Sequence, residues 1–139
     1  MTMIAISGTD TVEASVAGAR LLLIDDDLHV AETLAELLEL EGFCVRVAHD
    51  GFTGLEEARR TPVDVILCDL TLHGGLDGCG FARACRLDPD LRDLVLIAVS
   101  GYDRPQDRRR AQEAGFDTLI SKPVDLDRLH AAIDRGRAR

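Results

Sequence analysis

Three short aliphatic runs constrain this chain more than any other feature of its sequence: Leu21–Ile24, Val65–Cys68 and Leu94–Val99. Each is too short to form a helical core, and none alternates with polar residues. Each therefore reads as a strand covered on both faces, as central strands of a parallel sheet are. Segments of helical spacing lie between them, so the chain builds a sheet with helices on both sides.

Five runs in all read as strands: RLLLID (20–25), FCVRVA (43–48), VDVILCD (63–69), LVLIAVS (94–100) and TLIS (118–121). In the first intervening helix, Val30, Leu34, Leu37, Leu38 and Glu41 share a face, and Gly42 follows as a C-cap. A second helix runs from the N-cap Asp50 to about Arg60, with Phe52 and Leu55 turned inward. A third begins near Asp77, a fourth spans Pro105 to Ala114 before Gly115, and a fifth runs from Asp125 to about Asp134. The fourth has little to bury beyond Ala111 and Ala114. The second strand alternates and carries Arg46 among its apolar residues, which suits an edge. Right-handed crossovers then favour strand order 2-1-3-4-5: an α/β fold with a single (βα)5 doubly wound parallel sheet, flavodoxin-like.

A chain of 139 residues fits one domain. Residues 1–19 read as a flexible leader or linker, 20–136 as the domain, and 137–139 as a short basic tail. Sixteen basic against twenty-five acidic residues give a net charge of −9, which argues against a nucleic-acid partner held by phosphate neutralisation. The arginines at 108–110 and at 135, 137 and 139 read as a solvated helix face and a helix C-terminus. No apolar run is long enough to span a membrane. Cys44, Cys68, Cys79 and Cys85 form no CxxC pair. Cys79 and Cys85, on one helix, would stand about 9 Å apart along its axis, beyond disulfide reach. All four read as reduced packing residues.

The stretch LLLIDDDLH sets three aspartates directly after the first strand, with no basic residue among them. Two unit charges about 4 Å apart repel by roughly 4 kcal/mol at an effective dielectric near 20. The cluster therefore needs a cation or must splay into water. In a 2-1-3-4-5 sheet, ligands gather beyond the carboxyl ends of the strands, at the switch point between strands one and three. Asp25, Asp26 and Asp27 end strand one, Asp69 ends strand three, Ser100 ends strand four, and Lys122 with Pro123 ends strand five. Carboxylates of this kind hold Mg²⁺ together with phosphate oxygens, and a carboxylate can itself attack phosphorus to give an aspartyl-phosphate. The group's charge then calls for a metal, a lysine and a hydroxyl. Asp27 reads instead as the N-cap of the first helix.

LLLIDDD, VDVILCDLTLHGGLDG, LIAVSGY and ISKPVD resemble, in order and spacing, the motifs of response-regulator receiver domains of two-component systems, over about 20–136. The resemblance implies that Asp69 accepts a phosphoryl group from a histidine kinase or phosphotransfer protein. It makes Asp25, Asp26 and Asp69, with the backbone carbonyl of Thr71, the ligands of Mg²⁺ (or Mn²⁺). Ser100 becomes the hydroxyl that follows the phosphoryl group, and Lys122 the phosphate-binding lysine. It further implies a cis Lys122–Pro123 bond, self-phosphorylation and self-dephosphorylation chemistry rather than enzymatic turnover, and a cytoplasmic monomer or weak dimer. Its phosphorylation would change affinity for a downstream output domain or protein.

Three departures from the usual pattern stand out. His73 occupies the place, four residues after the acceptor, where receivers usually carry proline, and it reads as a surface residue. HGGLDG is one residue longer than the commonest loop, and Leu119 replaces the switch aromatic three residues before the lysine. A rival reading takes LLLIDDDLH as the hhhhDxD motif of a haloacid-dehalogenase-type phosphohydrolase, with Asp25 as nucleophile and Asp27 as acid/base, but leaves Asp69 idle. Another makes the chain a receiver-like scaffold that is never phosphorylated. A dinucleotide-binding fold lacks its GxGxxG.

Overall fold

The structure, a computed structural model, describes residues 18–137. Residues 1–17, most of the expected leader, and 138–139 of the expected tail lie outside the described residues. The strands are β1 (Arg20–Ile24), β2 (Cys44–Ala48), β3 (Val65–Asp69), β4 (Val95–Ser100) and β5 (Thr118–Ser121). Between and after them lie α1 (Leu28–Leu40), α2 (Gly51–Arg60), α3 (Gly78–Leu87), α4 (Pro105–Ala114) and α5 (Leu126–Arg137). All pairings are parallel, in the order β2-β1-β3-β4-β5. That is the doubly wound 2-1-3-4-5 sheet read from the sequence, with α5 continuing past its expected end at Asp134.

Two cores explain the unbroken apolar runs. Leu21, Leu23, Val65, Leu67, Val95, Ile97 and Val99 face α1 and α5, packing with Ala31, Leu38, Leu129 and Ile133. The intervening Leu22, Ile24, Ile66, Cys68, Leu96 and Ala98 face α2, α3 and α4, packing with Leu55, Phe81, Ala82 and Ala111. Side chains alternate along a strand, so a run that is apolar throughout feeds both cores at once. β2, at the edge, is only partly covered, and its Arg46 is exposed.

Two expectations need correction, for Phe52 and Cys44, and the apolar face of the first helix needs refining. α1 does not turn its whole apolar stripe inward: Ala31 and Leu38 are buried, but Val30 and Leu37 are 42% and 46% exposed and Glu41 is exposed at the C-cap. The apolar arc of the helix is wider than the strip the sheet covers. Phe52 is also exposed, because Gly51, Gly54, Leu55 and Ala58 make up the buried face of α2. Cys44 is exposed at the start of the edge strand and packs in no core, whereas Cys68, Cys79 and Cys85 are buried. All four are free thiols. Burial pushes the Cys85 thiol up to about 12 and Cys68 well above its ordinary range, so neither offers a thiolate.

The helices differ in how firmly they are held. α3 buries Cys79, Phe81, Ala82 and Cys85, and its first residue, Gly78, sits so close to the chain leaving β3 that a Cβ would meet Asp69 O at 2.5 Å. α4 buries Ala111, Ala114 and the carboxylate Asp107. Among the described residues no helix is long and apolar enough to cross a membrane.

Candidate functional site

Parallel register brings the strand ends level. Ile24 pairs with Cys68, Asp69 with Val99, and Ser100 with Ser121. Asp25 therefore leaves β1 beside Asp69, and Lys122 leaves β5 beside Ser100, its N–H donating to Ser100 O at 2.8 Å. The backbone at these positions is fixed by the buried strands that precede it.

One oxygen from each of Asp25, Asp26 and Asp69 lies within 4.8 Å of the others. Lys122 Nζ stands 3.0 Å from Asp69 Oδ2 and 3.6 Å from Asp25 Oδ2. The remaining oxygens are held locally: Asp69 Oδ1 accepts from Thr71 N–H at 2.9 Å, and Asp25 Oδ1 from Asp27 N–H at 2.9 Å. Ser100 Oγ accepts from Tyr102 N–H at 3.1 Å, which leaves its own proton to donate. The Lys122–Pro123 peptide bond is cis.

Electrostatics follow from the crowding. Asp25, only 3% exposed, has its pKa raised, first by burial and then by the charges of Asp69 and Asp26, although Asp27 N–H and Lys122 oppose the rise. For Lys122, burial disfavours the charge, but Asp69 and Asp25 outweigh it and hold the ammonium above its ordinary range. Burial would likewise raise Asp26, yet hydrogen bonds from the side chain and backbone of His73 bring it below the usual carboxylate range. Three carboxylates face one ammonium, so two negative charges stay uncompensated. An all-oxygen donor set with that excess fits a hard divalent cation such as Mg²⁺.

The sequence-predicted residues thus separate into two groups. Asp25, Asp26, Asp69, Ser100 and Lys122 stand together on one rim. Asp27 is exposed and accepts from Val30 N–H at 3.1 Å, capping α1. Thr71 is exposed too, its N–H on Asp69. Two features escaped the sequence reading. His73 reaches back to Asp26. In the segment after Ser100, Arg104 lies over the Tyr102 ring, 5.1 Å from its centroid, and its Nε donates to the buried Asp107 at 2.8 Å. Pro105 at the first helical turn with an acid two residues on was the available signal for Asp107.

A cleft of about 510 Å³ opens from Asp25, Asp69 and Lys122 along α1, walled by Val30, Leu34, Leu37, Val99, Pro123 and Val124. The exposed side of α1 is thus the apolar wall of a groove that leads to the carboxylates.

The family model for the response regulator receiver domain matches residues 21–134, and the chain belongs to that family. Response regulator MprA of Mycobacterium leprae (strain TN) is 33% identical over 114 residues, covering 82% of this chain and 49% of that protein. Transcriptional regulatory protein PrrA of the same organism is 37% identical over 123 residues, covering 88% of this chain and 51% of that protein. The chain spans about half the length of these relatives. Among solved structures, the signal receiver domain of a signal transduction histidine kinase from Syntrophus aciditrophicus superposes with a TM-score of 0.76 at 26% identity, over 87% of this chain and 91% of that one. A CheY-like response regulator receiver domain protein from Methanospirillum hungatei JF-1 gives 0.74 at 26% identity, over 88% and 98%.

Proposed function

We propose that this receiver domain accepts a phosphoryl group on Asp69 from a histidine kinase or phosphotransfer protein, and thereby changes its affinity for an output domain or protein. The observation that carries the reading is the convergence on Asp69: buried at the end of β3, 3.0 Å from the Lys122 ammonium and clustered with Asp25 and Asp26. In the transfer, an Asp69 carboxylate oxygen bonds to phosphorus as the bond from phosphorus to the donor nitrogen breaks. Thr71 N–H and Lys122 hold the two Asp69 oxygens and so orient the carboxylate. Asp25, Asp26, Asp69 and the Thr71 carbonyl would hold Mg²⁺ or Mn²⁺, which supplies positive charge against the phosphoryl oxygens. Lys122 adds a second positive group, and Ser100 turns its hydroxyl proton toward the new phosphoryl oxygens. The apolar cleft along α1 gives the phosphodonor a surface to dock on beside the acceptor. A phosphohydrolase reading needs Asp27 as acid/base in the pocket, but Asp27 caps α1 instead. The chemistry proposed is one phosphoryl transfer, followed by attack of water on phosphorus that breaks the bond to Asp69, releases inorganic phosphate and restores the carboxylate, without turnover of an external substrate.

The test is mass spectrometry after incubation with Mg²⁺ and a small phosphodonor. The parent chain should carry one acid-labile phosphoryl group and the Asp69→Asn variant none. Equal labelling of the two, or turnover of a generic phosphomonoester, would remove the assignment.

A further inference from the structure

Asp26 is held differently from its two neighbours. Asp25 and Asp69 each contact Lys122 and a nearby backbone N–H. Asp26 is gripped across the site by His73, 47 positions away in sequence: its Oδ2 accepts from His73 N–H at 2.9 Å and lies 2.6 Å from His73 Nδ1. Both donors fall on the same oxygen, which leaves the other unclaimed by them.

These contacts arise from the departures noted in the sequence. His73 stands where receivers usually carry proline, and proline has neither an N–H nor an imidazole. Gly74 and Gly75, at φ of 94° and 98°, follow in the lengthened loop and give it a path that side-chain-bearing residues rarely adopt. The His73 side chain is 82% exposed, so it fills no core and the fold does not need its bulk. What it does touch is an acidic residue of the site.

We propose that His73 is a positioning residue for the cation site. With Oδ2 fixed by two donors, the Asp26 carboxylate is kept in the orientation that groups it with Asp25 and Asp69, and the loop after β3 is tied to the end of β1. This rests on the reading that the three aspartates hold a divalent cation. Outer partners that hydrogen-bond a ligating carboxylate change metal affinity by roughly 10–100-fold when removed. The opposite effect is also physically defined: if His73 competed with the cation for Asp26, its removal would tighten binding.

Calorimetric titration with Mg²⁺ alone separates these cases. His73→Ala removes the imidazole and keeps the N–H; His73→Pro removes both; His73→Asn restores a short side-chain donor. We expect about tenfold weaker binding for the alanine variant, at least as much loss for proline, and partial recovery for asparagine. Thermal unfolding without cation should stay cooperative for the parent, alanine and asparagine forms, with only a small loss in the alanine form from the missing bond to Asp26. An alanine variant within about twofold of the parent, or binding more tightly, overturns the proposal. If Asp26→Asn loses Mg²⁺ while His73→Ala does not, the positioning role alone fails. A folded parent chain that binds no Mg²⁺ overturns the cation reading and this inference together.

Discussion

The rim at the ends of β1 and β3 and the segment that follows β4 line the same site but are built in opposite ways. Asp25 and Asp69 are joined to strands whose apolar residues are at most 2% exposed, and α3 clamps the exit from β3 at Gly78. After Ser100, the chain is exposed from 101 to 106, and α4 is seated on two alanines and one carboxylate. Under the proposed function, the groups that would meet a phosphoryl group in a fixed arrangement stand on the rigid part. The part able to move at low cost begins one residue beyond the hydroxyl that would sense it. Low local burial is what gives a segment a small opening free energy, so the site and its readout are separated along one rim.

The largest difference between the two regions should appear in stability. Phe81, fully buried on α3, should cost about 3–5 kcal/mol when truncated to alanine. Ala111→Gly on α4 should cost about 1 kcal/mol. Urea unfolding of both variants checks the contrast, and equal costs would break it. A cation at about one hundred times its Kd should stabilise the parent by about 2.7 kcal/mol, and Asp25→Asn should forfeit most of that gain in a thermal melt with Mg²⁺.

Without cation, the same Asp25→Asn variant should be the more stable form at neutral pH. Its parent carboxyl has a folded pKa raised above the unfolded one. The stability it contributes is therefore present below the unfolded pKa and lost as pH rises through the folded value. The advantage of the variant should shrink as pH falls below the ordinary carboxylate range, and a constant gap would contradict the burial effect. Smaller and more local is Asp107→Asn. The Arg104 side chain, donating hydrogen bonds, holds this carboxyl below its ordinary range, so its contribution is present at neutral pH. Its loss should speed amide exchange across 105–114 and leave 65–69 unchanged.

How much of this was legible in the sequence depends on which contacts are local. Leu21–Ile24, Val65–Cys68 and Leu94–Val99 announced central strands because both faces of each are apolar, and the strand order then put Asp25, Asp69, Ser100 and Lys122 on one edge. Helical periodicity gave the apolar arc of α1 but not which part of it the sheet would cover, and Val30 and Leu37 wall a cleft instead. Phe52 failed for the same reason: hydrophobicity pointed inward, while the small residues Gly51 and Gly54 let that face sit against the sheet. The contact of His73 with Asp26 had no local signal at all, because it depends on the path of a glycine loop. Leu119, which stands in place of the switch aromatic, is buried in β5.

Leu119 also defines the decisive test. It has no ring to swing and no phenolic group to anchor, so it cannot relay a movement of Ser100 as an aromatic residue would. Ser100 accepts a hydrogen bond from Tyr102 N–H, so a shift of Ser100 toward a phosphoryl group would pull on the weakly seated segment to which Tyr102 belongs. Amide exchange with Mg²⁺, with and without beryllofluoride as the phosphoryl mimic, measures where the response goes. The separation of site from readout predicts the largest changes within residues 101–112 and little change around Leu119. Changes centred on Leu119, with 101–112 silent, would contradict it.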